Sequence, residues 1–315
     1  MVAPFSSVPV GNARQVVMRS LLCLAALIML SGCFPVMNES VRERRTTVSS
    51  SAARNYYEKL EVRLVEKGLL KTNGGADAGF DAASLAGNFE RIALYDEFQM
   101  RGQRLIRTNQ ATHIRRWEHL VGVSIVFGDS VPDELRKRDT EFILDYLDHL
   151  EGIIGQRIEV TDENPNFHIF VLNAQEIYNF RSRRPIAGTP SFDLISDQIS
   201  KMTVDTYCSV FTVTDQVTDH RYVAAVAVIK SEHPDLLRQA CYHEEIAQGL
   251  GLTNDSRDAR PSIFNDDDEY ALLTFHDELL LRMLYSPKVR SGMTRSEAMP
   301  VINRLARDLR PGQSI

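Results

Sequence analysis

The sequence predicts an α+β fold: a mixed sheet with a long helix, a polar motif helix and a C-terminal helix. Three observations carry that expectation. Apolar strand-like runs and helical stripes follow one another as strand, long helix, strand, two strands, helix, and no internal repeat is present. Hydrophobic residues make up 43% of the chain, enough for a substantial core. Gly- and Pro-containing segments punctuate the runs where elements should end.

Each element has its own signal. Tyr57, Leu60 and Leu64 recur at helical spacing before Gly68, so a short helix with a glycine stop is expected, then a loop over Lys71 to Gly79. Asp81 is suited to cap a second helix whose Leu85, Phe89 and Ile92 share a face. Leu120 to Phe127 reads as a buried strand, closed by Gly128, Asp129 and Ser130. The long helix opens near Pro132, carries Leu135, Phe142, Ile143, Tyr146, Leu147 and Leu150 on one stripe, and stops around Gly152 to Gly155. Phe167 to Leu172 is a second apolar strand, and residues 181–200, with Pro185, Gly188 and Pro190, are expected as an irregular insertion over the sheet. Tyr207 to Val213 and Tyr222 to Ile229 form two more strands joined by a hairpin-type connection over Thr214 to His220, before a helix from about Pro234 to Gly249.

The N-terminus has the three-part layout of a secretory signal. Arg14 and Arg19 precede an apolar run from Leu21 to Leu30, which ends in small residues at a cysteine. The run falls short of the roughly 20 apolar residues of a spanning helix. Leu30-Ser31-Gly32-Cys33 resembles the lipobox of bacterial lipoproteins, which implies lipid on Cys33 and cleavage in front of it; an ordinary cleaved signal with a stray cysteine is the alternative, and Met18 is a possible start. Several acyl chains would make such an anchor effectively permanent. Phe34 stands where an Asp would signal inner-membrane retention, so the resemblance implies a periplasm-facing lipoprotein of the outer rather than the inner membrane. The expected layout is a signal peptide over 1–32, a lipidated cysteine and solvated tether over 33–54, a short helix and loop over 55–80, and the main domain over 81–315.

Loss of residues 1–32 removes two arginines and no acids, which takes the formal charge from −6 to −8. An acidic domain argues against a nucleic-acid partner, because phosphate binding needs a basic face. The expected partners are the membrane, through the anchor, and an envelope protein or peptidoglycan. Besides Cys23 and Cys33, only Cys208 and Cys241 remain. In an oxidising compartment two such cysteines suggest a disulfide, with two buried thiols as the alternative.

The segment from Cys241 to Ser256 concentrates the chemistry. Residues four apart share a helix face, so Glu244 and Gln248 project together with Glu245 beside them. Gly249 and Gly251 end the helix and turn the chain, which would bring Asn254 back toward the same face. This arrangement resembles the site of metzincin peptidases, built from His-Glu-x-x-His on a helix, a glycine turn, a third His and a Met-containing turn. In that register the three metal positions fall on Glu244, Gln248 and Asn254, the general base on Glu245, the turn glycine on Gly251, and the methionine position on Phe264 of Ser262-Ile263-Phe264. A helix from Tyr270 to Leu284 matches the C-terminal helix of such a zincin-like fold. All three histidines are missing, and Ala247 stands four residues after His243, so His243 cannot restore the motif. Gln248 and Asn254 offer only neutral carbonyl oxygens, which suit hard cations rather than zinc, so no metal and no cofactor is expected and zinc-peptidase activity is not.

The chain also resembles a family of proteobacterial lipoproteins, the domain of unknown function 2927, over roughly Asp81 to Met299. The resemblance rests on Cys241, Glu244, Glu245, Gln248, Gly251, Asn254, Asp255 and Ser256, on Ser262 to Asp266, and on Leu284 to Pro287 through Gly292 and Met293. It implies a lipoprotein and a fold, and no activity. Two functions follow as expectations: a non-catalytic binding or structural module on a degenerate peptidase-like fold, or a hydrolase with Glu245 as general base and either an oxygen-held metal or none. Asn265 to Glu269 is expected to cap the next helix rather than hold calcium. His276 with Asp277 is expected as a surface pair, and Arg181 to Arg184 as a solvated basic spot.

Overall fold

The computed structural model of the chain describes residues 49–101, 104–215, 217–218, 220–265 and 267–309. The signal segment, Cys33 and the tether up to Val48 lie outside the described residues, as does Asp266. Among the described residues no helix is long and apolar enough to cross a membrane.

The architecture is mixed α+β. Five strands, β3 (Val121–Phe127), β4 (Ile158–Val160), β5 (Phe167–Leu172), β6 (Cys208–Thr214) and β7 (Tyr222–Lys230), form one sheet in the order β4-β3-β5-β7-β6. The first four in that order run parallel, with Val123 beside Phe167 and Phe167 beside Ala225. β6 closes one edge antiparallel, pairing Cys208 with Ile229. The central strands are buried on both faces, which is why they read as unbroken apolar runs.

Alternation along β5 divides the core. Phe167, Ile169 and Val171 point into the larger cluster with Ile143, Tyr146, Leu147 and Leu150 of the long helix. That helix, Asp133–Ile154, starts after Pro132 and stops at Gly155, a left-handed C-cap with φ 63°. Phe170 and Leu172 face the other way, onto Ile177, Phe180, Ile186, Ile195 and Ile199. Each such buried side chain contributes about 1.5–3 kcal/mol relative to exposure.

In chain order the helices are α1 (Ser50–Glu66), α2 (Ala82–Ala93), α3 (Asp133–Ile154), α4 (Ala174–Tyr178), α5 (Phe180–Arg183), α6 (Phe192–Ile199), α7 (Asp235–Gly249), α8 (Phe275–Leu284) and α9 (Arg295–Leu309). Asp81 caps α2 by accepting from the Ser84 amide at 2.7 Å. α7 spans the segment expected as the motif helix, with Pro234 as its N-cap residue.

Four expectations need correction. α1 begins at Ser50, inside the stretch expected as tether, because Ser49 caps it and Ala53 and Tyr57 are buried on its inner face. Residues 181–200 are not merely irregular. They hold the end of α5 and all of α6, since Phe180, Ile195 and Ile199 find apolar partners on the sheet. The helix expected from Tyr270 begins only at Phe275, where Thr274 caps it in a reciprocal box with Asp277. The acidic run 265–269 therefore does not cap it; instead Arg260 pairs with Asp267 and Glu269, and Lys71 with Glu269 at 3.0 Å.

The sequence also left a hairpin unassigned. β1 (Tyr95–Arg101) and β2 (Arg104–Ala111) pair antiparallel as a separate two-stranded sheet, with a register shift between Asp96 and Phe98. Charged and amide residues dominate both strands, and the bulge breaks the alternation that would mark them. α9 packs across α2 and buries Ala298, Ile302 and Ala306.

Candidate functional site

α7 is fixed on both sides before it presents anything to solvent. Arg238 is buried and forms a two-pronged ion pair with Asp139 of α3, Nε to Oδ2 at 2.7 Å and the terminal nitrogen to Oδ1 at 3.0 Å. Tyr242 donates to the same carboxylate at 2.8 Å. On the sheet side, Cys241 is joined by a disulfide to Cys208 of β6, with Cα atoms 5.9 Å apart.

The C-terminus of α7 needs its two glycines for space. A Cβ at Gly249 would lie 2.4 Å from the ring of Phe167, and Trp117 donates its indole N–H to the Gly249 carbonyl at 2.9 Å. Gly251 has φ +125°, and a Cβ there would meet the Arg115 carbonyl oxygen at 2.6 Å. The chain thus turns tightly against Phe167 of β5 and the Arg115–Trp117 segment.

A cleft of about 970 Å³ opens beside this turn. All seven residues of β6 line it, with Glu244, Glu245 and Gln248 of α7 on its floor, Asp255 at the turn, and Asp96 to Phe98 of the hairpin on the opposite wall. Gln248 donates from Nε2 to Asp255 Oδ1 at 3.0 Å. Asn254 does not join them. Its amide donates to the Arg91 carbonyl at 2.7 Å and its backbone N–H to Ile92, so it belongs to a second cavity of about 500 Å³ beside α2.

The floor is electrostatically unusual. Glu245 is only 5% exposed, and its Oε2 has no hydrogen-bond partner. Glu244 is partly buried. Burial first, and then the Asp255 carboxylate, push both glutamates well above the usual carboxylate range. A carboxylate oxygen from each and the Cys208 sulfur lie within 4.8 Å of one another. That sulfur is in the disulfide and is no thiolate, so two carboxylates alone converge; neither this donor set nor Glu244 with Gln248 fits zinc.

The remaining candidates have structural places. His243 turns away from the cleft and stacks on Tyr146 of α3, with ring centroids 3.8 Å apart, and its Nδ1 accepts from the Leu273 amide at 2.9 Å. Burial lowers its imidazole to about 3. His276 and Asp277, expected at the surface, are both fully buried. The Asp277 carboxylate accepts from Ser262 Oγ at 2.5 Å, from the Ile263 amide at 3.0 Å and from the Thr274 amide at 3.1 Å. It therefore ties the Ser262-Ile263-Phe264 turn to the start of α8, a role that a two-residue polar pair in a helical stretch does not announce. Arg181 and Arg183 make exposed pairs with Asp197 and Asp129. The residues missed from sequence are those of β6 and the hairpin, whose part in the cleft depends on tertiary placement.

A family model described as "Protein of unknown function (DUF2927)" matches residues 82–304. No curated protein and no solved structure matches the chain.

Proposed function

The chain belongs to the DUF2927 family, and from that premise we propose that it is a periplasm-facing lipoprotein, anchored through Cys33, whose zincin-like domain binds an extended segment of an envelope partner without cleaving it. The observation that carries this reading is β6. Among the described residues it has no strand on its outer side, and that open edge runs the full length of the cleft. An extended chain can hydrogen-bond to such an edge as an added strand, with side chains directed at the floor. Four parallel strands, an antiparallel edge strand and a glycine-ended motif helix below it support the zincin-like description.

Hydrolysis is disfavoured by the same geometry. Burial raises the Glu245 carboxyl well above the usual range, and among the described residues the structure places beside it neither a metal-binding histidine nor a second ligand set that would activate a water. Among the described residues no histidine lines the cleft, and His243 stacks on Tyr146 of α3.

The test combines location and chemistry. Cells producing the wild type should incorporate palmitate into the protein and retain it in the outer-membrane fraction, whereas Cys33→Ser should lose both. Extended peptides should bind the purified protein, survive long incubation intact, and bind equally after treatment with chelator. Steady peptide cleavage that Glu245→Gln abolishes would overturn the binding reading in favour of a hydrolase.

A further inference from the structure

The cleft is strongly one-signed. Eight carboxylate side chains line it against two guanidiniums. Both guanidiniums are engaged on the hairpin wall, Arg115 with Asp96 at 2.7 Å and Arg107 with Glu97 at 3.3 Å. Glu244 and Glu245 lie side by side lining the cleft, and Oε2 of Glu245 is buried without a hydrogen-bond partner. Leaving such an atom without a partner costs about 1–3 kcal/mol.

We propose that Glu244 and Glu245 form a recognition site for the ammonium group of a lysine side chain carried by a peptide extended along β6. The inference rests on the edge-strand reading above and adds the chemistry of the residue that the strand delivers. An ammonium is compact and brings three donors, enough to serve both glutamates and still reach a third oxygen on the floor. Its four-carbon stem suits a floor set back from the edge, where the Cys208–Cys241 disulfide supplies an apolar flank. A hard metal ion is a poorer match, because six to eight oxygens must converge on it and among the described residues two carboxylates do so here.

Protonation provides a signature that mere structural support would lack. Burial first, then Asp255 and Glu97 facing both glutamates and Asp268 facing Glu244, raise the two carboxyls well above the usual range. An ammonium favours the ionised carboxylates, so lysine binding should tighten as pH rises, measured from 5 to 8.

The experiment titrates the full-length protein in detergent with two peptides, acetyl-Thr-Val-Thr-Lys-Thr-Val-Thr-amide and its norleucine counterpart, across that pH range. The lysine peptide should bind about tenfold tighter at neutral pH, a difference of about 1.4 kcal/mol. Glu244→Gln and Glu245→Gln, which keep the side-chain shape, should each bring the lysine peptide down toward the norleucine affinity and flatten its pH profile, leaving norleucine binding unchanged. Equal affinity for the two peptides in the wild type would overturn the ammonium site while the edge-strand reading stands. If neither peptide binds, both readings fall. Stoichiometric binding of calcium that blocks the lysine peptide would assign the pair to a metal instead.

Discussion

At the scale of single residues, the two floor glutamates work against stability. Both carboxyls titrate higher in the folded protein than in the unfolded chain, where a glutamate sits near 4.3. Between the unfolded and folded values the native state binds more protons, so stability falls as pH rises through that window. The melting temperature should therefore be highest near pH 5 and decline toward neutrality. The double variant Glu244→Gln/Glu245→Gln should melt a few degrees higher than wild type at pH 7 and show a flatter profile, as read by circular dichroism. A lower melting temperature for that variant at pH 7 would mean that the carboxylates support the fold. Glu244, Glu245 and Gln248 were legible because helical spacing alone puts them together. Asn254 was not, because whether a residue five positions past the helix end faces the cleft or α2 depends on where the Arg91 carbonyl lies. Asp277 was misjudged for a related reason: its partners Ser262 and Ile263 lie 14 or more residues away in sequence.

At the scale of elements, the disulfide is the clamp between the strand that offers an edge and the helix that offers the acids. It closes a loop with a sequence separation of 33, worth about 3–4 kcal/mol in the chain-entropy account. Reduction should lower the melting temperature by roughly 10 °C for a domain of this size. It should also increase hydrogen exchange in β6 while sparing β5 and β7, which are buried on both sides. If exchange rises equally in all three strands, β6 has no independent freedom and the clamp is not local. Helices and strands with strong periodicity, such as α3, β5 and β7, could be read from the chain because burial dictates their pattern. The β1–β2 hairpin could not, since polar residues fill both strands and a bulge interrupts the register. The limits of α8 were equally hidden: its cap is set by Thr274 and Asp277 acting on each other, whereas the acidic run before it is drawn to Arg260 and Lys71.

At the scale of the whole molecule, the acidic balance and the open edge answer to each other. An unpaired strand edge is a template for pairing with another chain, including another copy of the same protein. Two copies meeting edge to edge would bring two acid-lined clefts together and pay for it in like-charge repulsion. The carboxylates around β6 other than the floor glutamates, Asp205 and Asp215 among them, are expected to discourage self-association. The charge-removing variant Asp205→Asn, at an exposed carboxylate lining the cleft, should form dimers and larger species at lower protein concentration than the wild type. Light scattering at low ionic strength measures this, and a variant as monodisperse as the parent would remove self-avoidance from the reasons for an acidic rim beside an open strand.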